Sequence, residues 1–285
     1  MNWARVKTIL IICFLIVNIF LLYKVSEKYN RKELKADEIL NLKNLLSAND
    51  IILNTTLPSQ IKYLPRMKVT NRTVEENQIA DKILGINKWT VKKNDAGIAI
   101  YSSGNREIKF DSFGFVEYTI NIGKVEGLKL VSNEIKAKET VKDLLKKYLK
   151  LDKYIEDNIQ VSKAGIIINF SYVDNNREIL NNYIVSKILP EGKIIIKHGL
   201  VDSDGLNSKN KKITLVDALV ELVRVLKDKG KTTIKEISLG YYADLNKGNE
   251  TIRFGEADPS WKIETDKGIY IFDAYTGDFL ASFNN

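Results

Sequence analysis

The chain has 285 residues, of which 44% are hydrophobic and 28% are charged, and its formal net charge is +8. The charges are well mixed along the chain, without the clustered basic face that binds nucleic acid, so we expect no nucleic-acid partner. The single cysteine, Cys13, lies in an apolar stretch, which excludes disulfides, thiolate metal sites and a cysteine nucleophile in the polar remainder.

The N-terminal segment predicts a single membrane-spanning helix. An apolar run extends from Thr8 to Leu22, is interrupted by Asn18 and is flanked by Trp3 and Tyr23. At ~1.5 Å of rise per residue this run approaches the ~30 Å hydrocarbon core of a bilayer, and the two aromatic rings suit its interfaces. Because no small-x-small cleavage site follows, we expect an uncleaved anchor in place of a signal peptide.

Basic residues flank both ends of this helix, so the count of positive charges alone would place the large C-terminal region inside the cell. That rule weakens for long translocated domains, and a cysteine-free region suits the outside of a Gram-positive-type bacterium. We therefore expect a single-pass protein of the cell membrane with a cytoplasmic N-terminus. The expected division is a cytoplasmic tail (1–7), a transmembrane anchor (8–24), a juxtamembrane helix (25–50) and two extracytoplasmic domains (51–130 and 131–285).

The extracytoplasmic region predicts repeated units of one helix followed by antiparallel strands. A polar helix over 25–48 and an extended segment over 51–72 precede the first unit. Amphipathic helices are expected at 73–84, 139–149 and 215–227, where apolar residues recur at helical spacing. The strands expected after these helices are 89–93, 97–102, 107–111 and 115–122; 159–163, 165–173, 182–189 and 193–200; and 234–242, 250–254, 259–265, 268–274 and 278–282. Short turns make these strands antiparallel, so the fold class is α+β, with helices on one face of curved sheets.

Local patterns also predict a helix cap, a loop and a buried helix face. Thr73 and Glu76 have the spacing of a capping box at the start of the first of these helices. The segment 201–212 is rich in Asp, Ser, Asn and Lys and predicts a polar loop. The residues of the third helix expected to face the core are Val216, Leu219, Val220, Val223 and Leu226.

No motif in the chain indicates catalysis or metal binding. The one histidine, His198, cannot build a metal site alone and no nucleophile elbow accompanies it, so we assign it a structural or surface role. The sequence Asp202-Ser203-Asp204-Gly205 is similar to part of a calcium loop but lacks the terminal bidentate acid, which favours a solvated turn. We expect no catalytic residue, no cofactor and no metal, although the sequence alone leaves a carboxylate-based hydrolase open.

Two segments remain as candidate interaction surfaces. Asn18 places an amide in the apolar helix, where it either bonds to a partner helix or is tolerated near the interface, and we favour the partner. The C-terminal run from Asp258 to Leu280 predicts a hairpin with a tight turn at its end. We favour a structural role for this hairpin in closing a core. Trp261 and Tyr275 are the residues that a ligand or partner would contact if the hairpin were exposed.

The two ends of the chain resemble the YycI family. At the N-terminus the residues that carry the resemblance are Trp3, Arg5, Lys7-Thr8-Ile9, Phe14-Leu15 and Asn18-Ile19-Phe20-Leu21. At the C-terminus they are Pro259, Trp261-Lys262-Ile263-Glu264, Tyr270 and Phe272-Asp273-Ala274-Tyr275-Thr276-Gly277, a run that is also similar to the closing hairpin of PepSY-type domains. The middle of the chain matches only by architecture, and Asn2 stands where an acidic residue is expected.

This resemblance implies a regulatory protein without enzymatic activity. Together with the related YycH proteins, members of the family are bitopic accessory proteins of the essential WalK–WalR (YycG–YycF) two-component system of low-GC Gram-positive bacteria, which controls cell-wall metabolism genes. The implied partners are the sensor histidine kinase and YycH, contacted substantially through the membrane helix, with no known small-molecule ligand. The residues of the membrane helix that we expect to face a partner are Trp3, Phe14, Asn18 and Leu21.

Two other hypotheses remain open at this point. An anchored PepSY-like module that binds a ligand or inhibits a protease would require an exposed groove near Trp261 and Tyr275. A cell-wall hydrolase would require carboxylates clustered in a cleft, because glycoside hydrolysis commonly uses a pair of them.

Overall fold

The computed structural model describes residues 3–30, 33–93, 98–110, 115–147, 153–247, 250–251 and 253–283. Within these residues the fold is α+β, as expected, with one apolar N-terminal helix and one extensive β-sheet. The helices are α1 (Trp3–Asn30), α2 (Ala36–Ala48), α3 (Glu76–Leu84), α4 (Lys124–Val131), α5 (Glu134–Lys146) and α6 (Val216–Leu226). The strands are β1 (Ile51–Leu53), β2 (Lys62–Asn71), β3 (Thr90–Lys93), β4 (Ala99–Ser103), β5 (Arg106–Phe110), β6 (Phe115–Asn121), β7 (Tyr154–Ser162), β8 (Gly165–Asp174), β9 (Arg177–Leu189), β10 (Lys193–Gly199), β11 (Val201–Ile213), β12 (Thr232–Ala243), β13 (Asn246–Lys247), β14 (Glu250–Thr251), β15 (Phe254–Thr265), β16 (Gly268–Asp273) and β17 (Phe279–Phe283).

Two half-sheets joined at one point make up the large sheet. The central half-sheet has the strand order β7-β8-β9-β10-β6-β5-β4-β3, and its pairings are antiparallel. The terminal half-sheet is built around β15, which pairs with β12, β16 and β2, while β1, β17 and β11 extend it. The expected antiparallel pairing has two exceptions: β1 runs parallel to β12, and a parallel bridge between Ile179 and Tyr241 joins the half-sheets.

Each half-sheet has its own hydrophobic core. The central lobe (residues 72–200) packs α3, α4 and α5 onto the central half-sheet. The terminal lobe (residues 33–71 and 201–283) packs α2 and α6 onto the terminal half-sheet. A smaller cluster around Met67, Tyr172 and Tyr241 lies where the lobes meet. Residues on both sides of position 130 therefore share the central core, and the terminal lobe draws on both ends of the chain.

The segment expected as the polar loop 201–212 is instead a strand, which corrects the sequence interpretation. This strand, β11, pairs with β2 in an antiparallel register that runs from Val201–Asn71 to Ile213–Lys62, with two shifts along it. Most of its side chains between its buried ends are exposed. A strand with few buried side chains lacks the apolar alternation by which strands are recognised, so its sequence has the appearance of a loop.

The expected juxtamembrane helix over 25–50 is divided in the structure. Helix α1 continues to Asn30, and Glu33 then forms a β-bridge with Gln60. Lys35 has an extended backbone, and α2 begins after it. Glu33 cannot continue the helix because it pairs with Gln60, a residue of the extended segment that follows α2.

Two further details of the helices differ from expectation. A 3-10 turn at Arg72–Glu75 precedes α3, whose N-cap is Glu75 and makes no side-chain capping bond, so the capping box at Thr73 is wrong. In α6 the exposed fraction of Val220 is 51%, whereas Leu222 is fully buried. Leu222 is not among the residues expected to face the core. The buried face of α6 is rotated from the expected one toward Ala218 and Leu222.

Candidate partner-binding surfaces

Helix α1 presents an apolar surface that the rest of the described chain does not cover. Its span Val6–Tyr23 is long and apolar enough to cross a membrane, and 0% of this span is buried. The exposed fraction of its large apolar side chains ranges from 50% at Ile12 to 72% at Phe14. A contiguous apolar surface of this kind is unfavourable in water, so it is compatible with a membrane anchor.

Asn18 is the polar residue within this span, and its amide is half satisfied by its own helix. The side-chain nitrogen Nδ2 donates a hydrogen bond to the backbone carbonyl of Phe14 at 2.9 Å. Within the described residues the side chain of Asn18 makes no other hydrogen bond, so Oδ1 and the second N–H proton remain available to a partner helix. In hydrocarbon such a bond stabilises helix association by about 0.6–2 kcal/mol.

Helical geometry places the four residues expected to face a partner on one side of α1. With about 100° between consecutive residues, positions 3, 14, 18 and 21 fall within an arc of roughly 60°. Phe14 and Leu21 are exposed on this side, and Asn18 is half-buried beside them. The side chain of Trp3 lies outside the described side chains, so its place on this face rests on helical spacing alone.

Trp261 belongs to the core of the terminal lobe, which corrects its assignment to a candidate surface. The exposed fraction of its side chain is 3%, and its indole Nε1 donates a hydrogen bond to the carbonyl of Thr214 at 3.0 Å. Its alternation partner in β15, Ile263, is also fully buried in the same cluster. The hairpin therefore closes a core, which was the favoured interpretation, and the Trp261 ring is not presented to a ligand.

Tyr275 is half-buried, and its hydroxyl is bonded within the chain. The hydroxyl donates to the carbonyl of Leu64 at 2.9 Å, and Lys211 Nζ lies 5.3 Å from the ring centroid. Burial, followed by the nearby carboxylate of Asp258, raises the pKa of Tyr275 to about 12. Tyr275 therefore ties the C-terminal turn to strand β2 and remains protonated at neutral pH.

The turn that carries Tyr275 has the tight geometry expected from its sequence. Asp273 Oδ1 accepts hydrogen bonds from the backbone N–H groups of Tyr275 at 2.6 Å and Thr276 at 3.1 Å. Gly277 has a φ of +82°, and a Cβ at this position would lie 2.4 Å from the Cβ of Asp217 in α6. Glycine is required here both for the left-handed backbone and for the close approach of α6.

His198 is a buried structural residue, which is one of the two roles expected for it. Its side chain is fully buried in β10, and burial lowers its pKa to about 4. Its Nδ1 lies 3.3 Å from the carbonyl of Gly199, so Nδ1 carries the proton in this contact. Among the described residues no group of three or more His, Cys, Asp or Glu side chains is arranged to hold a metal ion.

A polar network that no sequence pattern predicts joins the two lobes. Lys262 Nζ of β15 lies 3.0 Å from Glu178 Oε1 of β9, with about a fifth of each side chain exposed. Burial opposes the charge on Lys262, but the carboxylates of Glu178, Asp157 and Glu236 outweigh it and raise the pKa of the ammonium. The partners are far apart in the chain, and each is an ordinary strand residue, so no local pattern could have paired them.

Comparison with known proteins gives one family. The model of the family described as "YycI protein" matches residues 29–275. A crystal structure of an uncharacterised protein from Eubacterium rectale ATCC 33656 is 14% identical, with a TM-score of 0.46 over 80% of this chain and 89% of that one. The C-terminal domain of Bacillus megaterium YpeB is 13% identical, with a TM-score of 0.34 over 73% of this chain and 94% of that one. No curated protein sequence matches the chain significantly.

Proposed function

Since this chain belongs to the YycI family, we propose that it is a membrane-anchored regulator that binds the sensor histidine kinase of the YycG/WalK system together with YycH. At the level of the family, its members are regulatory accessory proteins of that two-component system. The matched residues run from 29 to 275 and therefore cover the central lobe and most of the terminal lobe, whereas the apolar span of α1 precedes them. The lobes thus support the assignment to the system, and α1 supports the attachment to the membrane.

The observation that carries the kinase contact is the uncovered apolar surface of α1 with an amide on one side of it. Phe14 and Leu21 flank Asn18 at helical spacing, which is the arrangement of a helix that packs on another helix in a bilayer. In the proposed complex this face packs on the transmembrane helices of the kinase. Asn18 Oδ1 then accepts a hydrogen bond, or its second N–H donates one, across the interface.

The proposed topology places the N-terminus in the cytoplasm and both lobes outside the membrane. The lobes then lie on the same side as the extracytoplasmic part of the kinase and of YycH. The complex changes the output of the kinase only if it binds the two signalling conformations of the kinase with different affinities. The cell-wall metabolism genes under the control of the response regulator would change accordingly.

Affinity purification from detergent-solubilised membranes tests this function. The full-length chain is expected to recover the kinase, and a variant without residues 1–25 is expected to lose it while still capturing YycH through the lobes. Asn18→Leu should weaken recovery of the kinase about threefold to thirtyfold, the equivalent of one interhelical hydrogen bond of 0.6–2 kcal/mol.

The matched control for Asn18→Leu is Ile16→Leu, because residue 16 lies on the opposite side of α1 and is equally uncovered at 61%. This control should leave recovery unchanged. If Asn18→Leu leaves both recovery and the output of a kinase-dependent reporter unchanged, Asn18 has no role in the contact. If the full-length chain recovers no kinase, the proposed function is wrong.

A further inference from the structure

Lysines gather at one end of the β2–β11 ribbon in the terminal lobe. We call Lys62, Lys209, Lys211 and Lys212 the lysine patch. The register pairs Lys211 with Leu64, Lys212 with Tyr63 and Ile213 with Lys62, so the patch occupies the first residues of β2 and the last residues of β11. Three of its side chains are exposed, and Lys212 is half-buried. The sequence does not predict the patch, because Lys62 lies in the expected extended segment 51–72 and the other three lysines lie in the expected loop 201–212.

The positive charge of the patch is not neutralised by the described carboxylates. None of its four lysines forms an ion pair with a described Asp or Glu. Two acids of β15 are already occupied, since Arg66 lies 3.2 Å from Glu256 and 2.5 Å from Asp258. Asn207 Nδ2 also donates to Glu256 at 2.6 Å. The patch therefore presents a local excess of positive charge toward solvent.

The chain holds this patch close to the end of α1. Glu33 bridges to Gln60, and the backbone N–H of Leu34 donates to the carbonyl of Ser59 at 2.8 Å. Lys62 begins β2 two positions after Gln60. The distance from Asn30 to Lys62 is bounded by the extended length of 30–33, the spacing of the Glu33–Gln60 bridge and the extended length of 60–62. Together these place the backbone of Lys62 at most about 25 Å from Asn30. Asn30 itself lies about 10 Å along the helix from Tyr23, roughly the thickness of one headgroup layer.

One aromatic side chain lies beside the patch on each face of the ribbon, because successive side chains of a strand alternate between its faces. Tyr63 is opposite Lys212 in the register, and 43% of its side chain is exposed. Tyr275 lies beneath the ammonium of Lys211. Tyrosine rings beside lysines are typical of surfaces that settle at the boundary between water and lipid headgroups.

We infer that the lysine patch docks the terminal lobe onto the anionic phospholipid headgroups of the bilayer that holds α1. This inference rests on the proposed membrane anchor. The recognised group is a phosphodiester, and the bilayer is its source because the chain keeps the patch within about 25 Å of the end of α1, a distance that allows contact with the headgroups. Docking fixes the orientation of the lobes relative to α1, and therefore the surface that the lobes offer to the other extracytoplasmic domains of the complex.

Energy transfer from the lobe to the headgroups tests the docking in the full-length chain. In a Cys13→Ser background, Ser208→Cys carries a donor dye, and the acceptor is a headgroup-labelled lipid. The protein is inserted in vesicles of phosphatidylcholine alone or with phosphatidylglycerol. Transfer should be higher in the anionic vesicles, and NaCl at about 1 M, where the screening length is about 3 Å, should abolish the difference.

Substitution of the patch gives the second arm of the test. Each lysine near an anionic surface shifts the docking equilibrium about fivefold, so Lys209→Gln, Lys211→Gln and Lys212→Gln together should lower it by about 100-fold and remove the increment in transfer. The matched control changes the same charge in the central lobe, with Lys163→Gln, Lys187→Gln and Lys193→Gln. All three control lysines are exposed, and the increment should persist in this variant.

Three results would overturn the inference. The first is equal transfer in the two kinds of vesicle, and the second is an increment that survives the triple substitution in the patch. The third is lysine-dependent binding of free poly(glycerol phosphate) without any increment from anionic lipid, which would assign the patch to a soluble polymer. Carbonate extraction of the same vesicles tests the membrane anchor separately. A chain that is not inserted would contradict the proposed function and, with it, the docking inference.

Discussion

Helices α1 and α6 are built from the same kinds of residue but have opposite environments. Both are rich in Leu, Ile and Val, although α6 also carries Asp217, Glu221 and Arg224. In α6 the side chains of Leu219 and Leu222 are fully buried, whereas in α1 Leu10 and Leu22 are exposed at 63% and 68%. Apolar composition therefore does not decide where a helix lies. The half-sheet beneath α6 provides an apolar surface for it, and nothing in the described chain does so for α1.

The polar side chains in the two regions differ in the same way. His198 is held neutral in the central lobe, with Nδ1 directed at the carbonyl of Gly199. Asn18 bonds only to the carbonyl of Phe14 in its own helix. The fold around His198 positions its polar group, whereas no described residue outside α1 positions the side chain of Asn18.

Deleting residues 2–23 should have the largest effect, because it removes the whole uncovered surface. The chain should move completely from carbonate-washed membranes to the soluble fraction. The urea-unfolding transition of the lobes should be unchanged, since none of the span Val6–Tyr23 is buried in them. A deleted chain that stays in carbonate-washed membranes would show that α1 is not the anchor.

The same Leu→Ala substitution in the two helices should lower the free energy of unfolding by different amounts. Leu222→Ala in α6 should lower the free energy of unfolding by about 3 kcal/mol, because a fully buried leucine leaves a cavity. Leu15→Ala in α1, where the side chain is 54% exposed, should change the unfolding of the lobes by less than about 0.5 kcal/mol. Urea denaturation followed by tryptophan fluorescence measures both. Equal losses for the two variants would contradict the difference in environment.

Acid should destabilise the central lobe through His198. The folded pKa is lowered to about 4 from its usual 6.5, so the unfolded chain binds this proton first as the pH falls. The stability that depends on neutral His198 is complete above about pH 6.5, and it is lost progressively toward pH 4, by roughly 3 kcal/mol.

His198→Asn isolates this contribution, because asparagine places a donor where Nδ1 lies but does not titrate. Between pH 7 and pH 4 the variant should lose less unfolding free energy than the natural chain, whatever its stability at neutral pH. Carboxylates such as Glu156, whose pKa is lowered by Lys138 and Lys142, contribute equally to both chains. Parallel pH profiles for the two chains would show that His198 is not the group responsible.

The smallest effect is expected on the outer side of α6. Val220→Lys should change the free energy of unfolding by no more than about 0.5 kcal/mol, because more than half of this side chain is already exposed. The neighbouring variant Leu219→Lys places a charge in the core and should prevent the terminal lobe from folding. A strongly destabilised Val220→Lys protein would restore the inward orientation that the sequence predicted for this residue.

Most elements could be predicted because their signals are local. The helices at α5 and α6 and the strands of the C-terminal hairpin follow from periodicity within a few turns or a few alternations. The left-handed Gly277 follows from its place in a tight turn. The polar strand β11 could not be predicted in this way, because its partner β2 lies more than a hundred positions earlier and its exposed side chains carry no pattern.

The candidate sites also differ in whether local sequence patterns specify them. The stripe of Phe14, Asn18 and Leu21 depends only on helical spacing, so it could be proposed from the sequence. The burial of Trp261 depends on α6 and on the carbonyl of Thr214, and the lysine patch depends on the pairing of β11 with β2. These contacts join distant parts of the chain, and no local pattern specifies them.

The sequence by itself determined the apolar N-terminal helix, the α+β class and the family to which the chain belongs. Only the tertiary structure decided that both ends of the chain build one lobe, that Trp261 is buried and that four lysines share one end of the β2–β11 ribbon. The physical reason is that periodicity reports which side of an element is apolar. The element that covers this side is chosen by long-range pairing and packing, whose energies depend on residues far away in the sequence.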